Sequence, residues 1–138
     1  MALVVDTSVL YATLDTGDRD YARCVALLDG LSEPPVVPTP VLVELDQLLS
    51  RRASLDAWLR FCDAVHEGAY ALFDATPPLV ARASEVQRRY ADMPIGYVDA
   101  FVFVTCEALG ETSVATLDHR HFSVLRLKGR RPLELLPG

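Results

Sequence analysis

Leu3-Val4-Val5-Asp6-Thr7-Ser8-Val9-Leu10 is the stretch that decides the fold class. Leu3 to Val5 is a continuous apolar run without polar alternation, the pattern of a short parallel strand covered on both faces. Asp6, Thr7 and Ser8 follow at once, with side chains suited to the free amides of a helix start. Val9, Leu10 and Tyr11 then begin helical packing. A buried strand that turns directly into a helix is the opening of a β–α unit.

Outward from there the alternation repeats. Tyr21 to Leu31 reads as a helix with Tyr21, Val25, Leu28 and Leu31 on one face, and Val36-Val37 between prolines reads as a strand. Thr39-Pro40 predicts a helix start, Thr as N-cap and Pro at the first helical position. That helix carries Val41, Leu42, Leu45, Leu48 and Leu49 to about Arg51-Arg52. Ser54 caps the next, through about His66, with Leu55, Leu59, Cys62 and Val65 in phase, and Gly68 breaks it. Tyr70 to Phe73 is a third strand, and Thr76-Pro77 starts a helix to about Tyr90. Pro94 and Gly96 make a turn before the strongly apolar helix Tyr97 to Leu109, stopped at Gly110. Ser113 to Leu117 and Leu133 to Leu136 complete the strands. The expectation is an α/β fold, a mostly parallel sheet with helices on both faces, forming a single domain over residues 1–138.

Composition fits a compact domain: 138 residues, 51% hydrophobic and 23% charged. No apolar run approaches the roughly 18 residues of a membrane span. Ala2 to Val5 is too short for a signal-peptide core, so a cytoplasmic protein is expected. Cys24, Cys62 and Cys106 lie far apart in apolar stretches, without a CxxC pair, and read as buried reduced thiols. The net charge of -6 argues against a non-specific nucleic-acid binder. Yet Arg120, Arg126, Lys128, Arg130 and Arg131 crowd the C-terminal segment.

Four carboxylates stand where apolar residues surround them. Asp6 and Asp118 each follow a strand, Glu44 sits on or beside the apolar stripe of its helix, and Asp99 lies within Val98 to Val104. Sites in parallel sheets gather beyond the carboxyl ends of the strands. A buried, uncompensated carboxylate costs several kcal/mol or more. Each acid has a local alternative: helix capping for Asp6, Asp118 and Asp99, and an ion pair with Arg51 or Arg52 for Glu44. Together they are better explained by a shared divalent cation, and hard oxygen donors suit Mg²⁺ or Mn²⁺. No His cluster or Cys pair offers the softer set zinc prefers. His119 and His121, on either side of Arg120, are read as RNA or solvent contacts before ligands, and Asp92 as a turn residue.

In order and spacing, four stretches resemble the PIN-domain ribonucleases, specifically the VapC-type toxins of bacterial toxin–antitoxin pairs. They are Val4 to Leu10, Pro38 to Leu45, Ile95 to Ala100 and Val114 to Phe122. The resemblance implies a three-layer α/β/α sandwich whose acidic quartet is Asp6, Glu44, Asp99 and Asp118, with Thr7 or Thr116 as a supporting hydroxyl. His121 stands where many relatives carry a further acid, which leaves a second metal position less well supplied. The implied activity is Mg²⁺-dependent hydrolysis of structured RNA such as tRNA or rRNA, leaving a 5′-phosphate and a 3′-hydroxyl. Implied partners are a VapB-type antitoxin and a second copy of the chain. Trp58, Leu59 and Phe61 are candidate groove residues, with core packing the stronger expectation for Leu59 and Phe61. Arg51, Arg52, Arg120, Arg126, Lys128 and Arg130 are candidates to line the RNA path.

Other acid-using sites fit less well. Ser8 occupies the second position of the Asp-x-Asp motif of haloacid-dehalogenase-type phosphatases, Leu10 breaks the adhesion motif Asp-x-Ser-x-Ser, and no Lys follows the fourth strand as in receiver domains. A nucleotide-binding P-loop is absent. The remaining alternatives are an inactive RNA-binding or scaffold protein on the same fold, and a PIN-like DNA nuclease.

Overall fold

The computed structural model describes residues 2–138. Five short strands, β1 (Val4–Val5), β2 (Val36–Pro38), β3 (Ala71–Phe73), β4 (Ser113–Ala115) and β5 (Glu134–Leu136), form one parallel sheet in the order β3-β2-β1-β4-β5. Seven helices surround it: α1 (Thr7–Leu14), α2 (Tyr21–Asp29), α3 (Thr39–Arg52), α4 (Leu55–His66), α5 (Pro77–Arg89), α6 (Tyr97–Leu109) and α7 (His119–Phe122). The layered α/β reading holds, and α7 is an addition to the expected helices.

The strand order explains where a site can form. The chain builds outward from β1 to β2 and β3, then returns to lay β4 on the other side of β1. The crevice between β1 and β4 is thus the point at which the winding reverses. Register is fixed there by Val4 opposite Val114 and Val5 opposite Ala115, and the Asp6 amide donates to the Ala115 carbonyl at 3.0 Å. Val4, Val5, Val114 and Ala115 are buried completely, as strands covered on both faces require. Helix α6 is buried continuously from Ala100 to Cys106 and packs against both β1 and α5.

Three local readings are corrected. The N-cap of α3 is Pro38, not Thr39, and the Thr39 hydroxyl instead accepts from the Ala75 amide at 3.2 Å, tying the helix start to the segment after β3. The stripe of α4 is rotated: Ala57 and Phe61 are buried, whereas Leu55 and Leu59, meant for the core, are exposed. Phe61, stacked against Trp58 and beside Tyr70, is core as expected. Cys24 and Cys106 are buried, but Cys62 follows the rotated face and is only partly covered. Among the described residues no helix is long and apolar enough to cross a membrane.

Candidate active site

Asp6 is the centre of the crevice. It is 4% exposed and caps α1 by accepting from the Ser8 amide at 2.9 Å and the Val9 amide at 3.4 Å. A cap alone would leave half the carboxylate bare. Its Oδ1 also accepts from the Ser8 hydroxyl at 2.5 Å, and its Oδ2 from the Thr116 hydroxyl at 2.5 Å. Both hydroxyls reach further: Ser8 Oγ accepts from the Leu117 amide at 2.9 Å, and Thr116 Oγ1 from the Asp118 amide at 3.0 Å. One hydrogen-bonded chain therefore stitches the end of β1 to the end of β4 and fixes the directions of two carboxylates. Burial pushes the Asp6 carboxyl up to about 6, against the lowering effect of these donors.

Asp118 caps α7, accepting from the His121 amide at 3.2 Å. Its other oxygen lies 2.8 Å from His121 Nδ1. Burial opposes ionisation of Asp118, but the His121 hydrogen bonds outweigh it and hold the carboxyl below its usual range. Asp99 enters from the first turn of α6, whose N-cap is Gly96, so Asp99 caps nothing. Its carboxylate is 3.5 Å from His121 Nδ1. Burial first, then the charges of Asp6, Asp118 and Glu44, raise Asp99 to about 6, partly offset by His121.

All four predicted acids thus act on one place, but not in the same way. Glu44 is exposed, because the buried stripe of α3 is Val41, Leu45 and Leu49 and Glu44 is rotated about 100° from Leu45. Expected on or beside the apolar stripe, it takes the position beside it and faces solvent; its link to the site is its charge, which helps to raise Asp99. Among the described residues it has no ion pair with Arg51 or Arg52.

His121, read as an RNA or solvent contact before a ligand, keeps its side chain 28% exposed and also offers a ring nitrogen within 4.8 Å of ligand atoms of Asp99 and Asp118, a set that could hold a metal ion. His119 is exposed. The donor set is thus carboxylate-rich with one imidazole, and its crowded negative charge fits a divalent cation. Of the two candidate supporting hydroxyls, that of Thr116 is the one that donates to Asp6. The Thr7 hydroxyl makes no hydrogen bond to Asp6; among the described residues it is buried without a hydrogen-bond partner. Ser8, missed as a site residue, has a visible signal in the Asp-x-Ser spacing.

The basic candidates separate. Arg126, Lys128 and Arg130 line one groove, Arg120 is exposed on α7, and Arg51 and Arg52 lie at the end of α3, Arg52 over the Tyr11 ring at 5.9 Å.

Residues 3–127 match the PIN domain. The chain belongs to the PIN-domain family. This PIN domain is 31% identical over 135 residues to Ribonuclease VapC26 of Mycobacterium tuberculosis, covering 98% of this chain and 100% of that one. Its fold is that of VapC20 from the same organism, a sarcin–ricin loop cleaving toxin, with a TM-score of 0.75, 24% identity and coverage of 82% and 87%. It is also that of VapBC2 from Rickettsia felis bound to a promoter DNA fragment, with a TM-score of 0.66, 16% identity and coverage of 98% and 97%.

Proposed function

We propose that this chain is the toxin of a toxin–antitoxin pair, a divalent-metal-dependent endoribonuclease that hydrolyses structured RNA. The observation that carries the reading is the convergence on Asp99 of the charges of Asp6, Glu44 and Asp118, at a crevice built by two adjacent strand ends. Burial raises Asp6, and burial together with these neighbouring charges raises Asp99, a cost that a bound cation relieves. The relation to a ribonuclease over the whole chain supports RNA as substrate.

Asp6, Asp99 and Asp118, with His121, are the residues to hold Mg²⁺, or Mn²⁺ in its place, and Glu44 adds charge at the rim. When bound, such an ion supplies Lewis acidity to the scissile phosphate and lowers the pKa of water at the site. The protein's own part is orientation. Ser8 and Thr116 lock the Asp6 carboxylate, and the contact of 2.8 Å with His121 Nδ1 fixes the Asp118 carboxylate beside Asp99. The reaction is in-line attack of water on phosphorus, with the P–O3′ bond breaking and the proton passing to the 3′ oxygen. A ribosomal hairpin or a tRNA is the first substrate class to test.

Two apolar features are available to an antitoxin: Leu55 and Leu59, exposed on one face of α4, and a hollow at its other face lined by Tyr21, Ala57, Phe61 and Tyr70. A homodimer is supported by exposed Val43 and Tyr97, which share a second apolar hollow with Pro40 and Val98. The pair is expected to act in the cytoplasm.

The test is to map new RNA 5′ ends with Mg²⁺ for the wild type and Asp6→Ala. The wild type is expected to give discrete 5′-phosphate ends that the variant lacks. Identical profiles, or products ending in a 2′,3′-cyclic phosphate, would sink the proposal.

A further inference from the structure

Away from the acidic crevice, the flank formed by α5, α6 and the turn before β5 concentrates positive charge. From Arg120 to Arg131 the chain carries Arg120, Arg126, Lys128, Arg130 and Arg131 with no Asp or Glu between them, on a molecule whose net charge is -6. Folding adds two cations from a distant segment: Arg82 and Arg89 of α5 line the same groove of about 340 Å³ as Arg126, Lys128 and Arg130. One carboxylate, Glu107, also lines it, and it is committed to Arg82 through contacts of 3.0 and 2.9 Å. Among the described residues, Arg89, Arg126, Lys128 and Arg130 have no carboxylate within ion-pair distance. The groove therefore presents four uncompensated cations.

These cations are positioned, not merely adjacent. The Arg126 amide donates to the Tyr90 hydroxyl at 3.2 Å, and the Arg89 guanidinium stands over the Tyr90 ring at 5.8 Å, so one tyrosine sets both walls. Arg126 Nη1 is held by the carbonyls of Ser123 and Leu125. Leu127 donates to the Arg131 carbonyl and Arg130 to that of Leu127, closing a tight turn. In it Arg130 adopts a φ of 63°, the left-handed region that costs a non-glycine residue about 1–2 kcal/mol. Gly129 beside it, at φ 82°, has no such cost. A charged residue kept in a conformation that glycine fills more easily points to a use for its side chain.

We propose that this groove is a binding site for the phosphate backbone of a structured RNA, separate from the acidic crevice and joined to it along α7. The choice of RNA rests on the ribonuclease reading. The groove's chemistry supplies the rest: guanidinium forks match phosphate oxygens, and four cations without counter-charges gain from displacing the ions around a nucleic acid. An acidic protein partner is less well served. Among the described residues that line the groove, Leu127 is the one apolar side chain and it is itself buried, so the groove offers an interface hot spot little apolar surface of its own. Asp118 caps α7, which carries exposed Arg120 and leads within a few residues to Arg126. Glu107 lies eight residues beyond Asp99 on α6, about 12 Å along the helix axis. A folded RNA engaged at the crevice is thereby gripped on a flank and not at the reacting bond.

The experiment is binding of a fluorescein-labelled RNA hairpin, followed by anisotropy in EDTA so that cleavage plays no part. It compares the full-length wild type with the combined variant Arg89→Gln, Arg126→Gln, Lys128→Gln and Arg130→Gln, which keeps the Arg82–Glu107 pair. The variant is expected to weaken binding at least about tenfold at low salt, with the slope of log affinity against log salt shallower by about 3 to 4 between about 50 and 200 mM. A control variant, Arg19→Gln, Arg23→Gln and Arg60→Gln, removes charge outside the groove and is expected to change the slope by less than half as much. Equal effects of the two variants, or an unchanged slope in the first with its melting temperature preserved, overturn the proposal. So does loss of affinity for a glutamate-rich peptide with RNA binding intact, which assigns the groove to an acidic protein. A chain that binds RNA through these cations yet cuts none with Mg²⁺ or Mn²⁺ supports the groove while removing the ribonuclease reading; one that cuts RNA with binding unchanged by the substitutions does the reverse.

Discussion

The acidic crevice and the basic turn each gather like charges, and they hold them in opposite ways. At the crevice, Asp6 is buried and receives four hydrogen bonds, and its partners Ser8 and Thr116 are themselves tied to the backbone after β4. On the basic turn, Lys128 and Arg130 are exposed and water carries most of the cost of their repulsion. Restraint in a low-dielectric setting raises the carboxyl pKa values of Asp6 and Asp99, chiefly through burial, and creates a demand for a counter-ion. Exposure turns it into a salt-screened field instead. The first arrangement suits chemistry at a fixed point, the second suits gripping a polymer.

The sharpest way to break this contrast is Asp6→Asn. It is expected to lower metal-dependent RNA cleavage by about a thousandfold or more, since it removes a buried ligand charge at the reacting centre. The same variant tests the electrostatics without any substrate. The folded Asp6 carboxyl, at about 6, sits above its ordinary 3.8, so the folded state binds the proton more tightly. That stability is fully present below the unfolded value and is lost as pH rises through about 6. A shift of about two units corresponds to about 3 kcal/mol. Thermal melts in EDTA should therefore show the wild type gaining stability as pH falls from 7 to 4, with Asp99 contributing in the same direction. Asp6→Asn should lose Asp6's share of that slope. A divalent cation should raise the wild-type melting temperature more at pH 7.5 than at pH 5. A flat pH dependence in the wild type would show that Asp6 is better solvated than its burial implies.

Thr116→Val is the next step down. It keeps the shape but removes the donor to Asp6 Oδ2 and the acceptor of the Asp118 amide. Loss of such a supporting contact is expected to raise the Mg²⁺ concentration needed for half-maximal cleavage by about 10–100-fold. An unchanged metal requirement would mean that Ser8 alone orients Asp6. The smallest effect is expected from Arg130→Gly. Relief of the left-handed backbone offsets the entropy of glycine, so stability should stay level or rise by up to about 1 kcal/mol, while hairpin affinity falls severalfold. Destabilisation there would place the basic turn among the restrained regions and blur the contrast.

Much of this was legible in the residues. The run Leu3 to Leu10 encodes a strand and a helix within one local pattern, and Thr76-Pro77 marks a helix start by conformational preference alone. The four acids were legible as a set because each sat among apolar neighbours. Misreadings came where a local pattern had two outlets. Leu55, Leu59 and Cys62 form a proper helical stripe, but the face that α4 buries, packed on α3, is the one bearing Ala57 and Phe61. Glu44 is three residues from Val41, yet the stripe of α3 runs in steps of four and leaves it outside. His121 follows Arg120 in an exposed-looking stretch, and only the capping of α7 by Asp118 turns its ring toward the carboxylates.

By itself, then, the sequence determined the alternation of strands and helices, the parallel sheet, and which four carboxylates needed an explanation, because apolar periodicity and burial cost are local properties. The tertiary structure alone decided how those carboxylates are held. The bond from Thr116 to Asp6 spans 110 residues, and the grouping of Arg82 and Arg89 with Arg126 to Arg130 joins segments 37 to 48 residues apart. Both depend on which strand lies beside β1 and on how α5 packs against α6. Register between distant segments is set by the whole core, and no short run of residues carries it.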